Sequence, residues 1–234
     1  MNIPVAILAG GLATRLNPLT RNTSKSMIHI QGKPFIDHQL ELLYKSKCKV
    51  VILCLGNFSE EIKNHVSQKK WLGMEILFSE DGEQALGTGG AISKAVKLVD
   101  SDIAVMYGDS YLTADFNAIE DTFSESKVSC LMSVFKNENR IEDSNVCISE
   151  DRILRYSKVE KFPKMNYIDY GFSIFQKNCF TKYSHHAPWD LSLLLQQLVI
   201  DKLVMPFEVK ERFYEIGSFS GIASLNEYLE EKNI

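Results

Sequence analysis

The segment Val5-Ala6-Ile7-Leu8-Ala9-Gly10-Gly11 places five apolar residues directly before two glycines. A short apolar run that stops at glycine is typical of a buried β-strand followed by a tight turn. Because glycine has no Cβ, such a turn lets backbone N–H groups come close to a bound anion. The segment therefore predicts a buried strand whose carboxyl end lies at a ligand site.

The first half of the chain repeats this pattern of short apolar strands separated by helical segments. The predicted elements are strands at 50–55, 75–78 and 103–107, and helices at 34–47, 59–68 and 89–99. This alternation favours an α/β fold with a doubly wound, mainly parallel, Rossmann-like sheet. Ligands bind at the carboxyl ends of the strands in such sheets. Glycines cluster at three predicted strand ends, namely Gly10-Gly11, Gly87 to Gly90, and Gly108.

The second half of the sequence contains more strand patterns and fewer helices. The predicted elements are strands at 128–134, 144–148, 153–157 and 168–175, and helices at 190–201 and 218–232. They indicate a mixed or antiparallel β extension on the substrate side of the parallel sheet. Since no repeat or Pro/Gly linker interrupts the chain, we predict one domain, 1–234, with halves at roughly 1–127 and 128–234.

Composition excludes several classes of protein. The chain has 234 residues, 45% of them hydrophobic, and a formal net charge of -4, which does not suggest nucleic acid as a partner. No apolar run reaches the ~18 residues of a membrane span, and the glycine pair cuts the first apolar run too short for a signal peptide. The five cysteines are odd in number and form no Cys-x-x-Cys pair, which favours a reduced, cytoplasmic protein.

Two cations, Arg15 and Lys25, follow the glycine pair. Arginine can grip phosphate oxygens with two parallel hydrogen bonds and lysine acts as a point charge, so together they suit a triphosphate. The segment is not a Walker loop, and Gly87-Thr88-Gly89-Gly90-Ala91-Ile92 lacks the last glycine of a dinucleotide fingerprint. The glycine pair alone is better explained as an ordinary turn; Thr14, Arg15 and Lys25 in this order favour a functional site.

The order of the motifs resembles that of the sugar-phosphate nucleotidylyltransferases. The segment Leu8 to Thr20 follows the family signature L-A-G-G-x-x-T-R-L-x-P-L-T, and the likeness covers nearly the whole chain. Its further parts are Lys25-Ser26-Met27, Gly32-Lys33-Pro34, Leu86 to Ala91, Tyr107 to Ser110, Asp169-Tyr170-Gly171 and Tyr214 to Ser218. The chain resembles the short members, such as heptose 1-phosphate guanylyltransferases and N-acetylmuramate 1-phosphate uridylyltransferases.

The resemblance implies roles for residues of the half 1–127, which would bind the nucleotide. Arg15 is expected to hold the β- and γ-phosphates, Lys25 to neutralise the α-phosphate, and Asp109 to bind Mg²⁺. A hard cation held by one or two carboxylates and substrate phosphates is ordinary Mg²⁺ chemistry. The residues expected to line the nucleoside pocket are Leu8, Ala9, Gly10, Gly11 and Gly87.

The half 128–234 would bind the sugar phosphate. The family places a lysine against that phosphate, and Lys158 fits the distance from the preceding strand, while Lys161 copies the local letters; we prefer Lys158. The other residues implied to bind substrate are Asn145, Asp169 and Gly171. Asp169-Tyr170-Gly171 departs from the family's Asn-Ala-Gly, and Glu215, the second Mg²⁺ ligand, stands where relatives carry aspartate.

The implied reaction transfers NMP from a nucleoside triphosphate to a sugar 1-phosphate, giving an NDP-sugar for cell-surface polysaccharides and pyrophosphate. GTP with a heptose or hexose 1-phosphate is the expected pair, and a homo-oligomer is compatible with the sequence. One alternative is a cytidylyltransferase acting on a non-sugar phosphate or phosphonate, for which Tyr167, Tyr170 and Trp189 could form an aromatic cage. The others are a glycosyltransferase that binds an NDP-sugar and a catalytically silent binding module. A glycosyltransferase usually carries an Asp-x-Asp metal motif after a strand, which Gly108-Asp109-Ser110-Tyr111 does not supply.

Overall fold

The computed structural model describes residues 1–11, 16, 23–183 and 185–232. Its strands are β1 (Val5–Leu8), β2 (His29–Ile30), β3 (Lys33–Pro34), β4 (Val50–Leu55), β5 (Glu75–Glu80), β6 (Ile103–Tyr107), β7 (Ser110–Tyr111), β8 (Cys130–Lys136), β9 (Val146–Ser149), β10 (Arg152–Tyr156), β11 (Tyr167–Phe175), β12 (Val204–Val209) and β13 (Tyr214–Glu215). Its α-helices are α1 (Phe35–Lys45), α2 (Ser59–Ser67), α3 (Gly87–Ala95), α4 (Phe116–Glu125), α5 (Cys179–Lys182), α6 (Leu191–Ile200) and α7 (Phe219–Glu231).

A nine-stranded sheet forms the centre of the fold. Its strands follow the order β5-β4-β1-β6-β11-β8-β12, and β9 and β10 branch from β11. Strands β1, β4, β5 and β6 run parallel to one another, and β12 runs parallel to β8. Strand β11 is antiparallel to both β6 and β8. The predicted α/β fold, with a mainly parallel sheet and a mixed β extension, is confirmed.

Helices cover both faces of this sheet because the side chains of each strand alternate between the two faces. Val5 and Ile7 of β1 belong to one buried cluster, together with apolar residues of α1, α2 and α4. Ala6, which lies between them, belongs to a second cluster with α3 and α6. Both clusters are continuous along the parallel strands, so the strand ends that carry the glycine turns are held by packing on two sides.

Two of the longer elements, α4 and β12, are absent from the sequence predictions. Helix α4 carries polar residues at most positions, but Phe116, Ile119 and Phe123 share one buried face, and Asp115 caps the helix by accepting from two backbone N–H groups. Strand β12 contains Pro206, which is tolerated there because β12 lies at the edge of the sheet. Helix α4 thus has a helical spacing of apolar residues and an acidic N-cap that the sequence predictions overlooked, whereas β12 depends on its pairing with β8.

Some local predictions were wrong in detail. The sequence pattern predicts Ser59 as the N-cap of helix α2, since serine commonly caps helices. The helix instead begins at Ser59, and its N-cap is Phe58, in the left-handed conformation and without a side-chain cap. Strand β5 extends to Glu80, two residues beyond the predicted bound. None of the helices in the described part of the chain combines the length and apolar character needed to cross a membrane. The division of the chain near residue 127 stays a prediction.

A buried carboxylate links three strands near the ends of the parallel sheet. Asp169 on β11 is only 6% exposed. Its Oδ2 accepts hydrogen bonds from the hydroxyls of Tyr107 on β6, at 2.7 Å, and Tyr156 on β10, at 3.3 Å. Its Oδ1 accepts from the backbone N–H of Gly171 at 3.0 Å. Gly171 has a φ of 91° and lies where the pairing between β11 and β8 shifts register.

The two hydroxyls are well suited to this role. Burial raises the pKa of Tyr107 well above its ordinary value, and the negative charge of Asp169 adds to the effect. The pKa of Tyr156 is raised by the same two causes. Both phenols therefore stay protonated near neutral pH and donate to the carboxylate, which would otherwise be a costly buried charge.

We predict that Tyr107→Phe lowers the free energy of unfolding by about 1–3 kcal/mol, because Asp169 loses a donor inside the protein. Urea denaturation measures the change. Tyr183→Phe is the matched control, since the Tyr183 hydroxyl donates to Asp201 at 2.6 Å on the surface, and its effect should stay within about 0.5 kcal/mol. Equal losses in the two variants would contradict the role assigned to burial.

Candidate active site

Two cavities adjoin at the carboxyl ends of β1 and β6. The first has a volume of about 400 Å³ and the second about 690 Å³. Tyr107, Asp109 and Lys158 line both. Of the described residues, those that line only the first are Leu8, Ala9, Gly10, Gly11, Lys25, Ser26, Cys54, Asp81, Ala85, Gly87, Thr88, Ala91 and Gly108. Those that line only the second are Ser110, Glu142, Asp143, Asn145, Lys161, Ile168, Asp169, Phe213, Glu215, Gly217 and Ser218.

The floor of the first cavity is backbone from neighbouring strand ends. A Cβ on Gly10 would lie 2.8 Å from the backbone nitrogen of Gly56, just beyond β4. A Cβ on Gly108 would collide with the carbonyl oxygen of Leu8. Glycine is therefore required at both positions, and the three chain segments can pack closely enough to present bare backbone to the cavity.

One wall of the first cavity is the start of helix α3. Gly87 begins the helix with a φ of 72°, and a Cβ there would overlap the backbone of Trp189. The N–H of Gly89 donates to the carbonyl of Trp189 at 3.0 Å, and the N–H of Trp189 donates to the carbonyl of Leu86 at 3.1 Å. These two hydrogen bonds join the segment before α6 to the glycine-rich turn, and the Trp189 indole is buried beneath that turn.

An ion pair lies where the two cavities meet. The Lys25 Nζ donates to Oδ2 of Asp109 at 2.8 Å. Lys25 stands in a 3-10 helix, Lys25–Met27, that Ser24 caps, and its side chain is 13% exposed. The Asp109 side chain is 43% exposed, and Asp109 lies two residues after the end of β6. A cation and a carboxylate are thus both available to a ligand at the junction.

Lys158 approaches the junction from the other side. Its Nζ lies 4.8 Å from the centre of the Tyr107 ring. Burial favours a higher pKa for Asp190, but hydrogen bonds from Ser192 and the charge of Lys158 hold that pKa below its ordinary value. Lys161, by contrast, lines only the second cavity and pairs with Asp143 at 3.2 Å. Lys158 can therefore contact the occupants of both cavities, whereas Lys161 can contact only the occupant of the second.

The three predicted substrate-binding residues have different surroundings. Asn145 and Asp169 line the second cavity, and the Asn145 Oδ1 accepts from the N–H of Asp169 at 2.9 Å. The Asp169 carboxylate, however, is engaged by Tyr107 and Tyr156. Gly171 is buried and is not among the residues that line either cavity. The geometry therefore gives Asp169 and Gly171 a positioning role, and their contact with substrate stays a prediction.

Glu215 reaches the second cavity from strand β13. That strand pairs with β7, and the N–H of Ile216 donates to the carbonyl of Asp109 at 2.9 Å. The Glu215 carboxylate accepts from the hydroxyl of Ser218, at 2.5 Å, and from the N–H of Gly217. The turn before α7 thus holds this carboxylate beside the same cavity that Asp109 lines.

The donor set is compatible with Mg²⁺. Asp109 and Glu215 supply carboxylate oxygens to one cavity, and Mg²⁺ commonly takes one or two carboxylates and completes its shell with phosphates and water. Within residues 1–11, 16, 23–183 and 185–232, no group of three or more His, Cys, Asp or Glu side chains could hold a metal ion by itself. Substrate phosphates would therefore have to supply much of the coordination.

Several residues that line the cavities are absent from the sequence predictions. Asp81 lines the first cavity and follows β5 directly; its signal was its place after a parallel strand, hidden because that strand was predicted to end at residue 78. Glu142, Asp143 and Phe213 line the second cavity from irregular segments, for which the sequence carries no periodic signal. The predicted phosphate ligand Arg15 lies outside the described residues.

Comparisons with known proteins agree with this geometry. Residues 5–220 match the family model described as Nucleotidyl transferase. The chain is 30% identical over 191 residues to the D-glycero-alpha-D-manno-heptose 1-phosphate guanylyltransferase of Campylobacter jejuni, covering 82% of this chain and 84% of that protein. It is 27% identical over 172 residues to the N-acetylmuramate alpha-1-phosphate uridylyltransferase of Caulobacter vibrioides, covering 69% and 71%.

The crystal structure of HddC from Yersinia pseudotuberculosis complexed with GMP-PN superimposes with a TM-score of 0.79 at 26% identity, covering 97% of this chain and 99% of that one. The predicted enzyme class, a sugar-1-phosphate nucleotidyltransferase, is confirmed, and neither the glycosyltransferase nor the non-sugar alternative is favoured. Matched by the family model over most of its length, the chain belongs to the nucleotidyl transferase family.

Proposed function

We propose that this protein transfers a guanylyl group from GTP to a heptose or hexose 1-phosphate in a Mg²⁺-dependent reaction. The observation that carries the proposal is the meeting of two cavities at Asp109 and Lys158. The first cavity, floored by glycine backbone, suits a nucleotide, and the second, with mostly polar walls, suits a sugar. Transfer between two phosphates requires such a junction with charged groups on it.

The reaction needs positioning and charge neutralisation more than proton transfer. A phosphate monoester has a second pKa of about 6, so the sugar phosphate is already an anionic nucleophile near neutral pH. Its oxygen attacks the α-phosphorus in line, the bond from that phosphorus to the bridging oxygen of the β-phosphate breaks, and pyrophosphate leaves. Lys158 holds the attacking phosphate, Lys25 neutralises the α-phosphate, and Arg15 is assigned to the leaving group by family resemblance.

Asp109 and Glu215 are the residues that would hold Mg²⁺, whose charge would neutralise phosphate oxygens of both substrates. In the described state the Lys25 ammonium occupies Oδ2 of Asp109. We infer that Lys25 exchanges this carboxylate for the α-phosphate when the nucleotide binds. The exchange keeps the ammonium paired with an anion throughout, which avoids leaving a largely buried cation alone.

Asp81 is the side chain that we assign to base selection. Strand β5 lies three places from β6 in the sheet, so Asp81 and Asp109 are separated by roughly 14 Å across the strand ends. Asp81 therefore borders the first cavity far from the phosphate junction. A carboxylate there accepts from the N1–H and N2–H₂ donors of guanine, whereas the carbonyl oxygens that flank the single N–H of uracil would be repelled. The names of the heptose guanylyltransferase and the HddC complex with GMP-PN support GTP.

The lining of the second cavity supports a sugar over a quaternary amine. Asn145, Asp143 and Ser218 provide donors and acceptors for hydroxyl groups. Tyr170 and Trp189, which an aromatic cage would require, are buried and do not line this cavity. The Tyr170 hydroxyl forms a hydrogen bond with the hydroxyl of Thr113. We also propose that the enzyme works in the reducing cytoplasm, where its five buried thiols stay free, and supplies precursors of cell-surface polysaccharide.

We expect Mg²⁺-dependent pyrophosphate release to be fastest with GTP when four nucleoside triphosphates are screened against heptose, mannose and glucose 1-phosphates. Asp81→Asn should lower the preference for GTP over UTP in kcat/KM by about tenfold or more, since it removes the charge that selects guanine. Glu83→Gln, an exposed acid in the same loop, is the control. A UTP or CTP preference in the wild type, or an unchanged preference in Asp81→Asn, would contradict the assignment of the base. No release with any pair, or no need for a divalent cation, would contradict the proposed function.

We expect Lys158→Ala to raise KM for the sugar 1-phosphate and lower kcat, with a loss in kcat/KM of about tenfold or more. Lys161→Ala should change kcat/KM less than threefold, because its ammonium pairs with exposed Asp143. Steady-state kinetics at saturating nucleotide measure both variants. Similar losses in the two variants, or a larger one in Lys161→Ala, would overturn the preference for Lys158.

A further inference from the structure

An apolar groove lies on the surface between strand β10 and helix α6, behind the turn that carries Lys158. We call it the β10–α6 groove; its volume is about 390 Å³. It is lined by Leu154, Arg155, Tyr156, Ser157, Val159, Glu160, Phe162, Ser192, Leu193, Gln196, Val199 and Ile200. Lys158 itself is not among these residues, so the groove is separate from the two cavities of the candidate active site.

Exposed apolar side chains concentrate in this groove. Of the nine large hydrophobic side chains exposed on the described surface, four line it: Leu154, Val159, Leu193 and Ile200. Val159 is 86% exposed and Ile200 is 71% exposed. Single exposed hydrophobics are ordinary, but a contiguous group with polar residues at its rim is typical of a protein–protein interface.

The strand that borders the groove has a free edge. Among the described strands, only β9 hydrogen-bonds to β10. An edge strand beside exposed apolar residues invites another chain to cover it, and proteins usually protect such edges. A partner that covered the groove would therefore bury both the unpaired edge of β10 and the exposed apolar side chains beside it.

The charges at the rim indicate which partner fits. The Arg155 guanidinium lies 4.6 Å from the centre of the Phe162 ring, and a guanidinium over a ring can still donate its in-plane N–H groups to an anion. Neither Arg155 nor Glu160 forms an ion pair within the described part of the chain. In a two-fold interface the same patch meets itself, so each residue of one copy can meet its complement in the other. One cation and one anion beside a shared apolar centre suit that arrangement.

We propose that the β10–α6 groove is the two-fold interface of a homodimer. Leu154, Val159, Leu193 and Ile200 form the apolar centre, and Arg155 of each copy pairs with Glu160 of the other. A second copy is preferred to an unrelated protein or a membrane surface because the groove carries both members of the ion pair itself. A membrane surface would instead call for cations alone.

The interface would also act on the active site. The Ser157 hydroxyl accepts hydrogen bonds from the backbone N–H groups of Val159, at 3.2 Å, and Glu160, at 2.8 Å. Lys158 lies inside this turn and borders both cavities. Fixing Val159 and Glu160 against a second copy therefore fixes the backbone that aims Lys158. This consequence rests on the role proposed above for Lys158, whereas the interface itself does not.

Sedimentation equilibrium of the full chain over a range of concentrations tests the interface. We expect a reversible dimer in the wild type, and a rise in its dissociation constant of about tenfold or more in Val159→Glu and Ile200→Glu. Leu72→Glu, at a residue 79% exposed outside the groove, should leave the constant unchanged. A wild type that stays monomeric throughout, or a dimer insensitive to both groove variants, would overturn the proposal.

Charge reversal distinguishes a two-fold interface from other contacts. Arg155→Glu and Glu160→Arg should each weaken the dimer, and the double variant should recover most of the loss. A double variant no tighter than the single ones would overturn the proposed pairing.

The link between the interface and catalysis has its own test. Val159→Glu should raise KM for the sugar 1-phosphate while leaving KM for the nucleotide close to wild type. An unchanged KM for the sugar phosphate would overturn that link.

Discussion

The close approach of three backbone segments at the end of the parallel sheet is the constraint on which the site depends. Gly10 contacts the backbone at Gly56, and Gly108 contacts the carbonyl of Leu8, at distances that admit no Cβ. This packing leaves a cavity floored by main chain and sets Asp109 at its margin. A larger residue at either glycine would separate the strand ends and move the carboxylate away from the cation that faces it.

Electrostatics at the junction follow from that packing. Lys25 and Asp109 neutralise each other at 2.8 Å in the described state, and Lys158 lies over the Tyr107 ring nearby. Tyr107 is also one of the two tyrosines that donate to the buried carboxylate of Asp169. One side chain therefore joins the structural network inside the sheet to the surface that would receive two phosphates. The stability of the sheet and the position of Lys158 are coupled through it.

The two halves of the chain position their residues at the junction of the two cavities through different kinds of structure. Parallel strands deliver Asp109 and the glycine turns by regular geometry, since their carboxyl ends share one edge. Lys158, Asn145 and Glu215 arrive from turns and short strands of the β extension, whose arrangement depends on pairing between distant segments. The groove beside Lys158 adds a third influence, because the turn that aims this lysine also borders an exposed apolar surface.

The sequence by itself determined the α/β class, most of the strands and helices, and the glycine turns, because burial periodicity and the absence of a Cβ are local properties of the chain. Together with the family resemblance, it also predicted that Leu8 to Gly11, Gly87, Lys25 and Asp109 belong to one site, and these residues do line one cavity. Only the tertiary structure decided that Asp169 points into a tyrosine network and that Gly171 is buried behind it. It likewise decided that Asp81 borders the nucleotide cavity and that exposed apolar residues gather beside Lys158. Such facts depend on contacts between residues far apart in sequence, and no local pattern encodes which distant side chain will take the available hydrogen bond.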